Sequence, residues 1–211
     1  SGQQVQLFFN DLVKGAETVQ RFDDLPIPFR AVATNLENGE MAVFDRGPLP
    51  VAMRASMSVP GLFAPMEWED HLYVDGGLVR NLPIDVARRL GVDVIIAVNL
   101  GSGYLPRDQL GNILGVTGQM IAILTEQNVK VSLQQIDPKR DVLIVPDLGD
   151  ITAGDFARAP EAIATGVTAA RKAARQLARY SLGEAEYAAW QRGRFGPGQP
   201  ARQVGEVQIA G

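Results

Sequence analysis

One aspartate lies where a strand end and two glycines could present a carboxylate to a ligand. The short run from His71 to Asp75 is typical of a β-strand, and it ends at Gly76 and Gly77, which can take positive φ values. Ligands gather at the carboxyl ends of strands in α/β sheets, so Asp75 is a candidate site residue. The alternative is a turn aspartate that accepts a hydrogen bond from the Gly77 N–H.

The serines show no matching nucleophile. A nucleophile elbow needs Gly-x-Ser-x-Gly between a strand and a helix, because only small residues fit around the strained serine. None of the six serines has this context; they are Ser1, Ser56, Ser58, Ser102, Ser132 and Ser181. We interpret Ser56 and Ser58 as hydrogen-bonding residues at a helix end before Pro60, and His71, the only histidine, as a solvated turn residue.

The residues after Asp75 predict a strand–helix–strand unit. The stretch from Pro83 to Leu90 has proline in its first turn, arginines in its last turn and Gly91 just beyond, which is typical of a helix. The run from Val92 to Leu100 is almost continuously apolar, as in a parallel strand that is covered on both faces. Asp75 is then expected at the strand edge where α/β proteins bind ligands.

Further segments complete the expected α/β organisation. We predict a hairpin of two strands around a tight turn, a short helix, a long or broken helix, a buried strand and a long carboxyl-terminal helix. Their ranges are 29–34 and 41–44 around 37–40, then 51–57, 110–133, 141–146 and 159–180. The glycine and methionine pattern of 111–124 favours core packing over a lipid-facing or dimer-forming surface.

Composition excludes several classes of protein. The 211 residues are 46% apolar and 21% charged, which is ordinary for a globular domain. No stretch reaches the roughly 20 apolar residues of a membrane-spanning helix, and a net charge of −4 without a basic block gives no support for nucleic-acid binding. The absence of cysteine excludes disulfides, and the scattered acidic residues do not predict a metal site.

Two motifs in fixed order give the chain a family resemblance. They are Arg54-Ala55-Ser56-Met57-Ser58-Val59-Pro60-Gly61-Leu62-Phe63-Ala64-Pro65 and Val74-Asp75-Gly76-Gly77-Leu78-Val79-Arg80-Asn81-Leu82-Pro83. Together they resemble the patatin-like phospholipases. The resemblance is strong over about the first hundred residues and weaker from Gln119 through Phe156. It implies a patatin-like three-layer α/β sandwich with a mainly parallel central sheet.

The resemblance also implies a reaction. In that family a serine attacks an ester carbonyl and an aspartate is its base, without a mediating histidine. Asp75 corresponds to that aspartate, with Gly76 and Gly77 letting the backbone turn and Asn81 and Pro83 starting the next helix. The implied substrate is a phospholipid or other lipid acyl ester, and no cofactor or metal is expected. A non-catalytic binding or scaffold module that lost its serine is the alternative.

The ends of the sequence suggest a larger protein. Residues 1–182 are interpreted as the carboxyl-terminal part of a hydrolase domain whose nucleophile half lies upstream. Residues 183–211 are interpreted as a helix, a linker at 193–200 and a first strand of a further domain at 204–209. This arrangement is similar to bacterial patatin-like proteins joined to a transport-associated domain and an outer-membrane barrel. We therefore expect export or outer-membrane association and transient contact with a membrane surface. A homodimer is a further option.

Overall fold

A computed structural model describes residues 2–101, 103–152 and 154–195. The chain divides into two compact units, Ser1–Arg179 and Tyr180–Gly211. The first unit holds six strands and seven helices among its described residues, and the second holds the helix α8, Glu184–Phe195. The proposed linker begins inside α8, since Gly193 is helical, and the rest of that linker and the possible strand at 204–209 lie outside the described residues.

A four-stranded antiparallel sheet carries Asp75. Its strands are β1 (Ala31–Asn35), β2 (Met41–Phe44), β3 (Met66–Trp68) and β4 (His71–Asp75), in the spatial order β2-β1-β4-β3. The predicted hairpin of β1 and β2 is confirmed, with Gly39 at a φ of 75° in its turn. The strand β4 lies between β1 and β3, but only β1 extends to its end. Ala33 on β1 is the partner of Asp75, whereas the pairing with β3 stops at Tyr73.

The second sheet is parallel and consists of β5 (Ile96–Val98) and β6 (Val142–Ile144). The α/β class is confirmed, but the strand pairing differs from the expected mainly parallel sheet, because three of the four described pairings are antiparallel. The strand expected at 92–100 is also shorter and covered on only one face. Ala97 is buried, whereas Ile96 is 52% and Val98 is 49% exposed.

The helices agree with the predictions in position and differ at their ends. Those of the first unit are α1 (Gly2–Leu12), α2 (Leu49–Ser56), α3 (Gly77–Arg80), α4 (Ile84–Arg89), α5 (Ile113–Leu133), α6 (Ala159–Lys172) and α7 (Ala174–Leu177). Neither α1 nor the short α3 was predicted, and Pro83 is the residue before α4 instead of part of its first turn. The long helix expected at 159–180 is divided at Ala173.

The helix α5 is continuous over 21 residues despite its internal glycines. Its start is fixed by Asn112, whose side chain accepts a hydrogen bond from the Gly115 N–H at 2.8 Å. The core-packing prediction is wrong for the first half of this helix, where Ile113 and Leu114 are largely exposed. Only Thr125, Val129 and Ser132 are buried. None of the described helices is long and apolar enough to cross a membrane.

Two apolar clusters hold these elements together. In one, Phe22 and Ala52 pack with Ala31 and join α2 to β1. In the other, α4, β5 and α5 meet through a group of buried residues, namely Leu82, Ile84, Ile95, Ala97 and Val129. The segment from Asp75 to Asn81 connects the sheet of the first cluster to the helices of the second. The end of β4 is therefore anchored from both directions.

Candidate active site

The backbone of Asp75 is fixed by hydrogen bonds to two buried residues. Its N–H donates to the carbonyl of Ser58 at 3.0 Å, and its carbonyl accepts from Thr34 Oγ1 at 2.9 Å. Ser58 is fully buried and Thr34 is 4% exposed, so neither bond competes freely with water. The two motifs recognised in the sequence are thus in direct contact, because the first supplies Ser58 and the second supplies Asp75.

The carboxylate of Asp75 is half-buried and only partly bonded. Its Oδ1 accepts the Gly77 N–H at 2.6 Å, which is the hydrogen bond that the turn interpretation predicted. Its Oδ2 accepts no hydrogen bond from a described residue and is not completely buried. Burial raises the pKa of Asp75 above its ordinary value of 3.8, and the Gly77 N–H opposes this rise only in part. One oxygen is therefore held while the other is free to accept a proton.

The glycines of the motif are required for space and not for unusual backbone angles. Gly76 has a φ of −65°, and Gly77 is the first residue of α3, so the prediction of positive φ values is wrong. A Cβ added to Gly76 would lie 2.3 Å from the carbonyl oxygen of Val32. A Cβ on Gly77 would lie 2.8 Å from Oδ1 of Asp75 itself. Both glycines therefore allow a close approach that any side chain would block.

A buried arginine stabilises the loop that holds Asp75. Arg54 is 4% exposed and donates to the hydroxyl of Ser58 and, at 3.1 Å, to the carbonyl of Ala64. Its guanidinium carbon lies 5.0 Å from the centre of the Phe63 ring, and burial lowers the pKa of Arg54. The Ser58 hydroxyl also donates to the Arg54 carbonyl at 2.7 Å. The hydrogen-bonding role predicted for Ser58 is confirmed.

The sequence interpretation missed two residues of α5. Asn128 donates from Nδ2 to the carbonyl of Gly77 at 2.8 Å and accepts the Asn81 N–H on Oδ1 at the same distance. Thr125 Oγ1 donates to the Gly77 carbonyl at 3.2 Å. The available signal was the presence of polar residues at helical spacing within an otherwise apolar segment, which we interpreted as core packing.

His71 lies away from Asp75. It begins β4, four residues before Asp75, which corresponds to about 13 Å along a strand. Its Nδ1 lies 2.8 Å from Oε2 of Glu37, and both side chains are exposed. The solvated position is confirmed, but the histidine has a carboxylate partner that the sequence did not indicate. No cluster of three metal-binding side chains occurs within the described ranges.

The region around Asp75 is similar in sequence to known proteins. Residues 7–88 match the family described as Patatin-like phospholipase, a range that includes both motifs and Asp75. An uncharacterized NTE family protein of Mycobacterium bovis is 45% identical over 78 residues, which are 37% of this chain and 22% of that protein. A protein of Mycobacterium tuberculosis with the same family description matches equally well.

Animal proteins are also similar. Patatin-like phospholipase domain-containing protein 7 of Rattus norvegicus is 38% identical over 96 residues, covering 44% of this chain and 7% of that protein. This chain therefore spans about a fifth of the mycobacterial relatives and less than a tenth of the rat relative. The matches support the patatin-like phospholipase family for this region and agree with the α/β fold.

Proposed function

We propose that this chain supplies the general base, Asp75, of a lipid acyl hydrolase that uses a Ser–Asp dyad. The reaction is the hydrolysis of an acyl ester in a phospholipid or a similar lipid, as in a phospholipase A. The serine belongs to a polypeptide segment upstream, because no serine in the 211-residue sequence has the flanking glycines of a nucleophile elbow. No metal or cofactor takes part in the proposed steps.

The half-bonded carboxylate carries this proposal. A base needs one oxygen that can receive a proton, and Oδ2 of Asp75 accepts no hydrogen bond from a described residue while Oδ1 is held by Gly77. The raised pKa makes the carboxylate a better proton acceptor than an exposed aspartate. The family match over residues 7–88 supports the same chemistry.

The proposed steps use the carboxylate twice. As the serine oxygen bonds to the ester carbonyl carbon, Oδ2 of Asp75 accepts the hydroxyl proton. The carbon–oxygen bond to the lipid alcohol then breaks, and that alcohol takes the proton from the carboxyl group as it leaves. Water attacks the resulting acyl-serine with Asp75 again accepting a proton, which returns to the serine when the fatty acid departs.

The uncovered face of the second sheet supports the participation of another segment. Ile96, Val98, Leu143 and Val145 are partly exposed on β5 and β6 and just after them, although strands this apolar are usually covered on both faces. A neighbouring element that brings the serine would also remove this apolar surface from water. Removing this surface from water would contribute a favourable free energy of about 25 cal/mol for each Å² of apolar area that is buried.

We call the longer protein that would contain both this chain and the serine segment the parent protein. We further propose that the parent protein is exported and associates with an outer membrane or its surface. This proposal rests on the resemblance to bacterial patatin-like proteins joined to a transport-associated domain. It also rests on the linker composition at 193–200 and the alternating apolar pattern at 204–209. Cell fractionation tests it directly. Retention of the parent protein in the cytoplasm would contradict it.

A fluorophosphonate probe and an ester substrate test the dyad. We expect no labelling of the 211-residue chain alone, and labelling of the parent protein at a serine outside this chain. In the parent protein, Asp75→Asn should lower ester turnover about 100-fold or more, because asparagine cannot accept the proton. Asp70→Asn is the matched control, since it makes the same chemical change at the exposed turn before β4 and should leave turnover unchanged.

Two outcomes would overturn the proposal. Labelling of Ser56 or Ser58 would place the nucleophile inside this chain, and full turnover by the Asp75→Asn protein would remove Asp75 as the base. A parent protein that resists the probe and hydrolyses no ester would favour the alternative of a non-catalytic scaffold with the same fold.

A further inference from the structure

The Gly77 residue links Asp75 to a distant helix. Its N–H is the group that orients the Asp75 carboxylate, at 2.6 Å from Oδ1. Its carbonyl receives two hydrogen bonds from α5, one from Asn128 at 2.8 Å and one from Thr125 at 3.2 Å. Both polar groups of Gly77 are therefore engaged, and α5 fixes the residue whose N–H holds the carboxylate.

The Asn128 side chain replaces a backbone hydrogen bond of α3. In an α-helix the carbonyl of Gly77 would accept directly from the N–H of Asn81, four residues later. Here the Asn128 amide bonds to both groups, donating to the Gly77 carbonyl and accepting from the Asn81 N–H, each at 2.8 Å. Helix α3 has only four residues and cannot be stable alone, so this bridge sets its geometry.

The requirement for asparagine follows from its two different polar atoms. A carboxylate could accept from Asn81 but could not donate to Gly77, and an apolar side chain could do neither. Thr125 is 6% exposed and Gly77 is buried, so the bonds to the Gly77 carbonyl are shielded from water. Loss of the Asn128 donor would loosen α3, whose backbone N–H groups at Val79 and Arg80 bond to the Gly76 carbonyl. That carbonyl shares a peptide group with the Gly77 N–H, so the N–H would lose its fixed direction toward Asp75.

We propose that Asn128, assisted by Thr125, is a positioning residue for Asp75 that acts by holding Gly77 at the start of α3. Asn128 keeps the Gly77 N–H directed at Oδ1, and this leaves Oδ2 directed toward the reacting hydroxyl. This proposal rests on the proposed function of Asp75 as a base. Its physical core, the coupling of Asn128 to the carboxylate, does not depend on activity and is measurable in this chain alone.

The test measures the pKa of Asp75 by carbon-13 NMR of the carboxyl group in the 211-residue chain. A hydrogen bond to the ionised form lowers the pKa of a carboxyl, so Asn128→Ala should raise the pKa of Asp75 above the wild-type value. Gln127→Ala is the matched control, because Gln127 is exposed on the same helix, and it should leave that pKa unchanged.

A second measurement uses the parent protein. Asn128→Ala should lower kcat about 10-fold or more with little change in KM, because a misplaced base slows the chemical step without altering substrate binding. The acid limb of the kcat/KM profile should move to higher pH together with the pKa seen by NMR. The conservative variant Asn128→Gln should restore part of the kcat lost in Asn128→Ala. Glutamine carries the same two polar atoms, but its longer side chain places them less accurately.

The outcomes separate the two proposals. An unchanged Asp75 pKa in folded Asn128→Ala would overturn the positioning role, whether or not the parent protein is active. If Asn128→Ala does not fold, Thr125→Val removes only one bond to Gly77 and must raise the same pKa by less; no change there is equally decisive. Full activity of Asp75→Asn would overturn the base assignment while leaving the NMR result valid.

Discussion

Asp75 and Asp141 are two carboxylates beside strand ends with opposite environments. The Asp141 side chain is completely buried and accepts hydrogen bonds from the N–H groups of Ile95 at 3.0 Å and Asp137 at 2.8 Å. It also pairs with the guanidinium of Arg88. Asp75 is less buried and accepts one hydrogen bond, from Gly77.

The two pKa values consequently move in opposite directions. Burial alone would raise the pKa of Asp141, but the two N–H donors and the positive charge of Arg88 outweigh it and lower that pKa. Burial dominates at Asp75 and raises its pKa. A fully satisfied carboxylate is a structural anchor, whereas an incompletely satisfied one retains proton affinity that chemistry can use.

The largest expected difference is in stability. Asp141→Asn should lower the free energy of unfolding by about 2–4 kcal/mol, because the amide loses the pairing with Arg88 and cannot accept every donor. Asp75→Asn should leave it unchanged or slightly higher at neutral pH, since it removes a partly desolvated charge. Urea unfolding of this chain and both variants measures the difference. Equal destabilisation by the two changes would contradict the comparison.

A glycine substitution sharpens the comparison around Asp75. Gly76→Ala should cost about 1–3 kcal/mol, because its Cβ would meet the Val32 carbonyl at 2.3 Å and force the backbone apart. Gly166→Ala is the control, in helix α6 with nothing within 4 Å of the new Cβ, and should stabilise by about 0.5–1 kcal/mol. Thermal unfolding of the two variants should therefore shift in opposite directions.

The pH dependence of stability should also distinguish the two carboxylates. The contribution of Asp141 is present above its unfolded pKa of about 3.9 and is lost as pH falls through its lower folded pKa. The contribution of Asp75 has the opposite sign, since its raised folded pKa makes stability fall as pH rises through that value. The free energies of unfolding of the wild type and Asp141→Asn should thus converge in acid. A difference between them that stays constant with pH would contradict this assignment.

The smallest expected effect is that of a chelator. The proposed base and nucleophile need no Lewis acid, and the anchoring of Asp141 uses only protein donors, so EDTA should change neither activity nor stability. Ester hydrolysis by the parent protein and unfolding of this chain are measured with and without EDTA. Activity lost to EDTA and restored by a divalent ion would show that the dyad is not sufficient.

Local patterns predicted much of the fold correctly. The strand ending at Asp75, the hairpin turn at Gly39 and the helix after Pro83 were all visible because strand periodicity, turn glycines and helix ends are written in neighbouring residues. The role of Ser58 as a hydrogen-bonding residue was also predicted. The expectation that both faces of the strand at 96–98 are buried was wrong. An apolar run does not reveal which of its faces packs against another element.

The sequence by itself determined that Asp75 ends a strand and precedes two glycines. Only the tertiary structure decided why those glycines are needed, since Val32, which excludes a Cβ at Gly76, lies on another strand. It also decided that Asn128, 51 residues from Gly77, holds the same turn, and that burial raises the pKa of Asp75. Spacing along a chain encodes backbone geometry, whereas solvation, charge and close contact depend on groups that folding brings together from distant positions.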